Sequence, residues 1–127
     1  MKLRLKGNSL RLRLTKMDVQ KLADTGEVVE VISFPGNNIL TYRLGTDEKR
    51  ECLEVRFENN IINVKIPANF ARDWPDNQIV GINNSQANEG KEIYILIEKD
   101  FVCLDETAED QSDNFANPKL TTEDGGS

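Results

Sequence analysis

The first fourteen residues alternate apolar and polar side chains in two short runs. The apolar members of these runs are leucines at positions 3, 5, 10, 12 and 14. A period of two is typical of strands that bury one face. Gly7-Asn8 separates the two runs and suits a tight hairpin turn, in which a positive φ is needed. The chain is therefore predicted to open with a β-hairpin.

A short helix and a second hairpin are predicted next. Thr15 and Asp18 have the spacing of a capping box at a helix start, and Gly26 suits the stop at its other end. Two further strands, residues 27–34 and 39–44, are predicted on either side of the turn that begins at Pro35. The first half thus follows the order strand, strand, helix, strand, strand.

The same order recurs when the sequence is shifted by 52 residues. The five leucines of the opening hairpin then fall, without a gap, on Val55, Phe57, Ile62, Val64 and Ile66. Pro67 and Pro75 fit the start and the end of a second helix. We therefore predict two tandem units, at about 1–47 and 53–99, each too small to close a core alone. Two unrelated strand-helix-strand segments are the alternative.

Three further interpretations rest on this shift. Tyr42 falls on Tyr94, so the two tyrosines are interpreted as a symmetric core pair. Phe70, Ala71 and Trp74 share one face of the second helix and are predicted to be core. Residues 83–90 match the first half poorly and are predicted to form a polar loop. Together these patterns predict an α+β, mainly β, small barrel-like domain over residues 1–104.

Charge is distributed unevenly along the chain. Residues 1–21 hold seven lysines and arginines against Asp18, whereas residues 105–127 hold seven acids against Lys119. The two ends therefore carry about +6 and −6 within a total of −6. The acidic segment 105–127 lacks the apolar residues that would offset its ordering entropy, so we predict a disordered tail.

Several classes of function have no support in the composition. Histidine is absent and no phosphate-binding glycine loop or nucleophile elbow is found, so no catalytic residue, metal ligand or cofactor is predicted. Cys52 and Cys103 are too few for a disulfide framework. No apolar run reaches the length of a membrane span or of a secretory signal, so no membrane association and a cytoplasmic location are expected.

Short motifs in both halves resemble a known fold. Lys6-Gly-Asn-Ser9 followed by Leu12-Arg-Leu-Thr15, and Asn60 followed by Val64-Lys-Ile-Pro67, resemble the swapped-hairpin domain of bacterial transition-state regulators and antitoxins. In that family two chains interlock into one small barrel, so the resemblance implies a fused pseudo-dimer and a regulator that binds DNA. Lys6 stands where that family commonly has an aromatic residue. Thr15 stands where it has a proline.

A second resemblance covers most of the chain. The start KLRLKGNSLRLRLT and the later EKDFVCLD are similar to a small family of uncharacterised bacterial proteins. That resemblance implies no activity.

The opening hairpin is the candidate binding site. A two-residue turn places Arg4 opposite Arg11 and Lys2 opposite Arg13, and like charges directly across a ladder are destabilising. We hypothesise that this hairpin binds an anionic partner, which is nucleic acid, an acidic protein or a phosphorylated small molecule. The residues of the hypothetical site are Lys2, Arg4, Lys6, Asn8, Arg11 and Arg13. The alternative is a solvated face balanced by acids such as Glu30, Glu54 or Glu58.

The leading hypothesis for function is a non-enzymatic binding module. The alternatives are a protein-interaction or structural protein that binds no nucleic acid, and, less favoured, a small enzyme without a recognisable motif. The acidic tail is a further candidate partner, because its charge is opposite to that of the hairpin and its length gives it ample reach. The sequence leaves the oligomeric state open.

Overall fold

A computed structural model describes residues 1–101, with the side chain of Asn88 excepted. These residues form eight strands and two α-helices. In chain order they are β1 (Lys2–Lys6), β2 (Ser9–Leu14), α1 (Lys16–Thr25), β3 (Glu27–Phe34), β4 (Asn38–Asp47), β5 (Glu54–Glu58), β6 (Ile61–Pro67), α2 (Ala68–Asp73), β7 (Gly81–Asn88) and β8 (Lys91–Lys99). A single 3₁₀ turn, Trp74–Asp76, extends α2. The predicted tail 105–127 and Cys103 lie outside the described residues.

The strands form two four-stranded sheets, and each sheet takes a hairpin from each half of the chain. The first sheet has the order β1-β2-β8-β7 and the second the order β3-β4-β6-β5. The hairpins are antiparallel, and they join through the parallel pairs β2/β8 and β4/β6. Neither half of the chain supplies a complete sheet.

The prediction of a barrel is wrong, because backbone ladders do not connect the two sheets. Between β5 and β7 the connection is made by side-chain amides: Gln86 accepts from the Val55 N–H at 2.8 Å and donates to the Val55 carbonyl at 3.0 Å. Asn84 donates to the Leu53 carbonyl at 2.8 Å. These amides satisfy backbone groups of β5 and of Leu53 directly before it, which a closed barrel would pair with a strand.

Between β1 and β3 the connection is ionic. The Met1 ammonium lies 2.8 Å from Asp18 and 3.0 Å from Glu30, and the Tyr42 hydroxyl donates to the Met1 carbonyl at 3.3 Å. Burial alone would lower the pKa of this ammonium, but the bonds to Asp18 and Glu30 outweigh burial and raise it above 8.0. Burial and the nearby Glu30 both raise the pKa of Tyr42.

The core lies between the sheets and under the helices, as the period-two pattern predicts. Leu10, Leu12 and Leu14 are buried, and so are their counterparts Ile62, Val64 and Ile66. Trp74 is fully buried, packs against Phe70 at a centroid distance of 5.1 Å, and donates its indole N–H to the Ile79 carbonyl. The predicted core role of the second helix is therefore confirmed.

The predicted boundaries of the first helix are confirmed. Thr15 and Asp18 exchange the two hydrogen bonds of a capping box, at 3.0 and 3.1 Å. Gly26 ends the helix in a left-handed conformation, with a φ of 90°. Val19 and Leu22 are buried on the inner face of this helix.

The prediction of a polar loop at residues 83–90 is wrong, because most of that segment is strand β7. Its alternate polar residues Asn84 and Gln86 point inward, where Gln86 binds the backbone of β5 and Asn84 binds the carbonyl of Leu53 directly before it. Asn83 and Ser85 are exposed on the other face. A strand of this composition looks like a loop in the sequence because its inward positions carry amides in place of apolar groups.

Candidate anion-binding face

Five cations of the opening hairpin lie on the outer face of the first sheet. The register places Arg4 opposite Arg11 and Lys2 opposite Arg13, as the turn predicted. The leucines at positions 10, 12 and 14 point to the core, so the alternating cations point to solvent. We call the outward surface of Lys2, Arg4, Lys6, Ser9, Arg11, Arg13 and Tyr94 the basic face.

Acids from β8 and the residue after it neutralise part of the basic face. Glu98 lies 3.2 Å from Arg11 and 3.1 Å from Arg13, and Asp100 lies 3.1 Å from Lys2. The parallel pairing of β2 with β8 places Glu98 beside Arg13. The acids named from the sequence contact other groups: Glu30 binds the Met1 ammonium, and Glu54 binds Arg50 and Arg56.

Arg4 and Lys6 have no ion pair within residues 1–101. Both are exposed, and they border a hollow of about 230 Å³ on the outer surface. The rest of the lining comes from Ser9, Leu10, Arg11, Tyr94 and Leu96. The hollow therefore combines three cationic side chains, a hydroxyl and an aromatic ring, which is the chemistry that binds phosphate groups attached to planar bases.

Tyr94 lines this hollow because the register of β8 against β2 differs by one residue from the register of β4 against β6. β3 and β4 are joined by three residues, 35–37, whereas β7 and β8 are joined by two, 89–90. Tyr42 pairs with Ile62, but Tyr94 pairs with Ser9 instead of Leu10. A slip of one residue moves a side chain to the opposite face. The predicted symmetric core pair is therefore wrong: Tyr42 is half-buried, and Tyr94 is 41% exposed.

Asn8 is held within the fold. Its side-chain amide donates to the Glu92 carbonyl, and its own carbonyl accepts from the Tyr94 N–H at 3.1 Å. Gly7 supplies the positive φ of the turn, +57°, and Asn8 has no positive φ. In the second hairpin both Asn59 and Asn60 have positive φ. Asn8 thus fastens the first turn to β8.

The outer face of the second sheet differs in charge and polarity. Arg43 is paired with Glu27 at 2.6 Å and also donates to the side-chain amide oxygen of Asn63 at 3.0 Å. Val29, Val31, Ile39 and Ile61 are exposed on this face. Within the described residues, the concentration of cations is therefore confined to the first sheet.

A larger cleft of about 650 Å³ opens between the sheets at the ends of the hairpins. Its lining is mainly apolar, with Leu5 and Phe57 more than half exposed at its mouth. Among residues 1–101 no group of acids and cysteines has the arrangement of a metal site, and Cys52 is an exposed free thiol. No described helix is long and apolar enough to cross a membrane.

Comparison with known proteins gives a family and no activity. A search of curated proteins found no match, and neither did a search of solved structures. A family model does match residues 1–119, which is most of the chain. This agrees with the resemblance to an uncharacterised family, whereas the resemblance to swapped-hairpin regulators has no support from these comparisons. The chain belongs to DUF7009, a family of unknown function.

Proposed function

We propose that this protein is a non-enzymatic binding module that uses the basic face to hold the phosphate groups of a nucleic acid. The observation that carries the proposal is the hollow in which Arg4 and Lys6, without acidic partners among the described residues, meet Arg11 and Tyr94. A phosphate oxygen would accept from the cations and the Ser9 hydroxyl, while a base would stack on the tyrosine.

The energetic cost of the hairpin supports this function. Arg4 lies directly across the ladder from Arg11, and such like-charged pairs destabilise a hairpin. In the second hairpin the corresponding pair is Arg56 with Asn63, and Glu54 faces Lys65. The second hairpin lacks the repulsion between like charges that the first hairpin has. Binding of an anionic partner would relieve that repulsion, which explains why the first hairpin retains it.

The chain topology also supports the comparison with swapped-hairpin regulators. Each sheet joins the first hairpin of one half to the second hairpin of the other, as two interlocked chains would do. We propose that the two halves are tandem units fused into a pseudo-dimer, with the first hairpin used for binding and the second for scaffold. On this proposal, the two units began alike and have since diverged in turn length and surface charge.

A charge-reversal experiment tests the nucleic-acid proposal. Binding of a labelled DNA duplex is measured over a salt series for the unaltered protein and for the Arg4→Glu/Lys6→Glu variant. Loss of two phosphate contacts should weaken binding at every duplex sequence and reduce the salt slope by about 2. The variant should stay folded, because a carboxylate at position 4 would face Arg11 across the ladder.

Lys21→Glu/Lys49→Glu is the matched control, since it makes the same change in net charge at two exposed lysines away from the basic face. It should keep the salt slope of the unaltered protein. If both variants lose binding equally, the attraction is due to overall charge and the basic face is not the site. If the unaltered protein binds neither the duplex nor a single strand of the same sequence at low salt, nucleic-acid binding is excluded.

An acidic protein is the alternative anionic partner, and segment 105–127 of the protein itself carries seven acids. If that segment covers the basic face, a chain ending at Leu104 should bind DNA more tightly than the full chain at low salt. Equal binding by both chains would exclude masking.

A protein-interaction role without nucleic acid is favoured by one feature, the exposed apolar residues of the second sheet.

A further inference from the structure

The four edge strands described in the structure differ in how they are protected from pairing with another chain. β1 carries Lys2, Arg4 and Lys6 at alternate positions, and β5 carries Glu54, Arg56 and Glu58. β7 uses its inward amides to bind β5. Charges and covering side chains are the usual devices that blunt an edge. The part of β3 that follows Glu30 has neither device among the described residues. Its sequence, Val31-Ile-Ser-Phe34, contains no charged residue.

The hydrogen-bonding phase of β3 shows which backbone groups face its open edge. The Thr46 N–H donates to the Gly26 carbonyl at 2.9 Å, so this pair is a hydrogen-bonded pair of the antiparallel ladder. Along two antiparallel strands, hydrogen-bonded pairs alternate with pairs whose N–H and C=O groups point away from the partner strand. The N–H and C=O groups of Val29, Val31 and Ser33 therefore point away from β4 and toward the open edge.

The side chains of β3 are apolar on both faces of the sheet. Val29 and Val31 lie on the outer face, where Val31 is 56% exposed. Ile32 and Phe34 lie on the inner face and are 43% and 50% exposed. Met1 contacts the side chains of Glu30 and Tyr42 on the inner face, and among the described residues it makes no backbone hydrogen bond to β3. An extended, apolar edge of this kind is a template for another strand.

We propose that β3 pairs with β3 of a second copy of this chain and forms a symmetric antiparallel dimer. The strand is its own complement when Val31 lies opposite Val31 of the second copy. In that register Val29 faces Ser33 of the second copy, so all three residues with open backbone groups meet partners in hydrogen-bonded pairs. Side chains on the outer face of one copy then lie beside side chains on the outer face of the other. The same surface is used by both copies, so the interface is isologous and has a twofold axis.

The apolar surface makes a second copy a better occupant than a polar peptide. The exposed residues Val29, Val31, Ile39 and Ile61 lie on one face of the new eight-stranded sheet, where the Val31 side chains of the two copies would meet at the axis. In this register Glu30 would face Ile32 of the second copy while keeping its ion pair with the Met1 ammonium, and Glu27 would lie at the end of the paired segment, so no two acids would be directly opposed. This proposal is independent of the anion-binding function, because the basic face belongs to the other sheet.

The test uses opposite charges at the position nearest the axis. The molar mass of the full chain is measured by sedimentation or light scattering from micromolar to millimolar concentration, for the unaltered protein and for Val31→Lys and Val31→Glu. We expect the unaltered protein to dimerise. Each variant should dissociate at least about tenfold more readily, because like charges would meet across the axis. An equimolar mixture of the two variants should regain dimers, since each Lys would then face a Glu.

Met17→Lys is the control, because Met17 is 82% exposed on α1 and its replacement adds the same charge to an apolar surface site. It should dimerise like the unaltered protein. A monomer at all concentrations would overturn the proposal, and so would dimers that persist in Val31→Lys. Failure of the mixture to recover dimers, with both variants folded by circular dichroism, would overturn the proposed pairing, because the side chains at position 31 of the two copies would then not face each other.

Discussion

Single residues decide which surfaces of this protein carry charge. Glu98 lies beside two arginines of the opening hairpin, whereas no acid of residues 1–101 reaches Arg4 or Lys6. The cations themselves were predictable, because alternation with leucine fixes their face once the strand is recognised. Their acidic partners were not, because Glu98 and Asp100 are more than 80 residues away in sequence and meet the hairpin only through the parallel pair β2/β8.

The Met1 ammonium and Asp18 give the stability a definite dependence on pH. Burial opposes ionisation of Asp18, but bonds from the ammonium and from Thr15 prevail and lower its pKa below 3.8. Its contribution is present above pH 3.8 and is lost as pH falls through the lowered value. The ammonium, with its pKa raised above 8.0, contributes below pH 8 and loses that contribution as pH rises through the raised value.

Denaturant unfolding from pH 3 to 10 measures this effect, with the Nα-acetylated protein as comparison. We expect the difference in free energy of unfolding between the two proteins to be largest between about pH 4 and pH 8 and to shrink on both sides. A difference that does not vary with pH would mean that the ammonium makes no ion pair in the folded state.

At the level of elements, the strand and helix pattern was largely readable from the sequence. Capping residues, prolines and the period-two leucines predicted both helices and seven of the eight strands described. The missed strand, β7, follows the same period, but its inward positions are Asn84 and Gln86. Their role depends on β5 lying alongside, which is a tertiary contact that no local pattern encodes.

Gln86→Leu tests how much this amide contributes. Removal of the amide leaves the Val55 N–H and carbonyl without their partner, and both lie in a partly buried position. The free energy of unfolding should fall by about 1–3 kcal/mol. Ser85→Ala is the control, because Ser85 is the exposed neighbour on the opposite face of β7 and should change stability by less than about 0.5 kcal/mol. Equal effects from both changes would contradict the bridging role of Gln86.

For the whole molecule, the decisive feature is that both sheets combine the two halves of the chain. Along one edge, β2 and β4 are hydrogen-bonded to strands of the other half of the chain, β8 and β6 respectively. Fragments 1–50 and 51–127 should therefore each lack cooperative thermal unfolding by circular dichroism, because each leaves half a sheet without its partner. Their mixture should recover the spectrum and the transition of the intact chain. A cooperative transition in either fragment alone would contradict this dependence.

The two-residue turn at Glu89-Gly90 has a consequence for comparing members of this family. Identical letters at matched positions do not guarantee a shared role, because the length of one turn sets which letters downstream point inward. Tyr42 and Tyr94 match under an ungapped shift, yet one supports the N-terminus from within and the other borders the solvent-facing hollow. In a relative with one residue more at this turn, β8 would present Ile93 or Ile95 to the hollow. Counting the residues of that turn should therefore precede any transfer of binding residues between relatives.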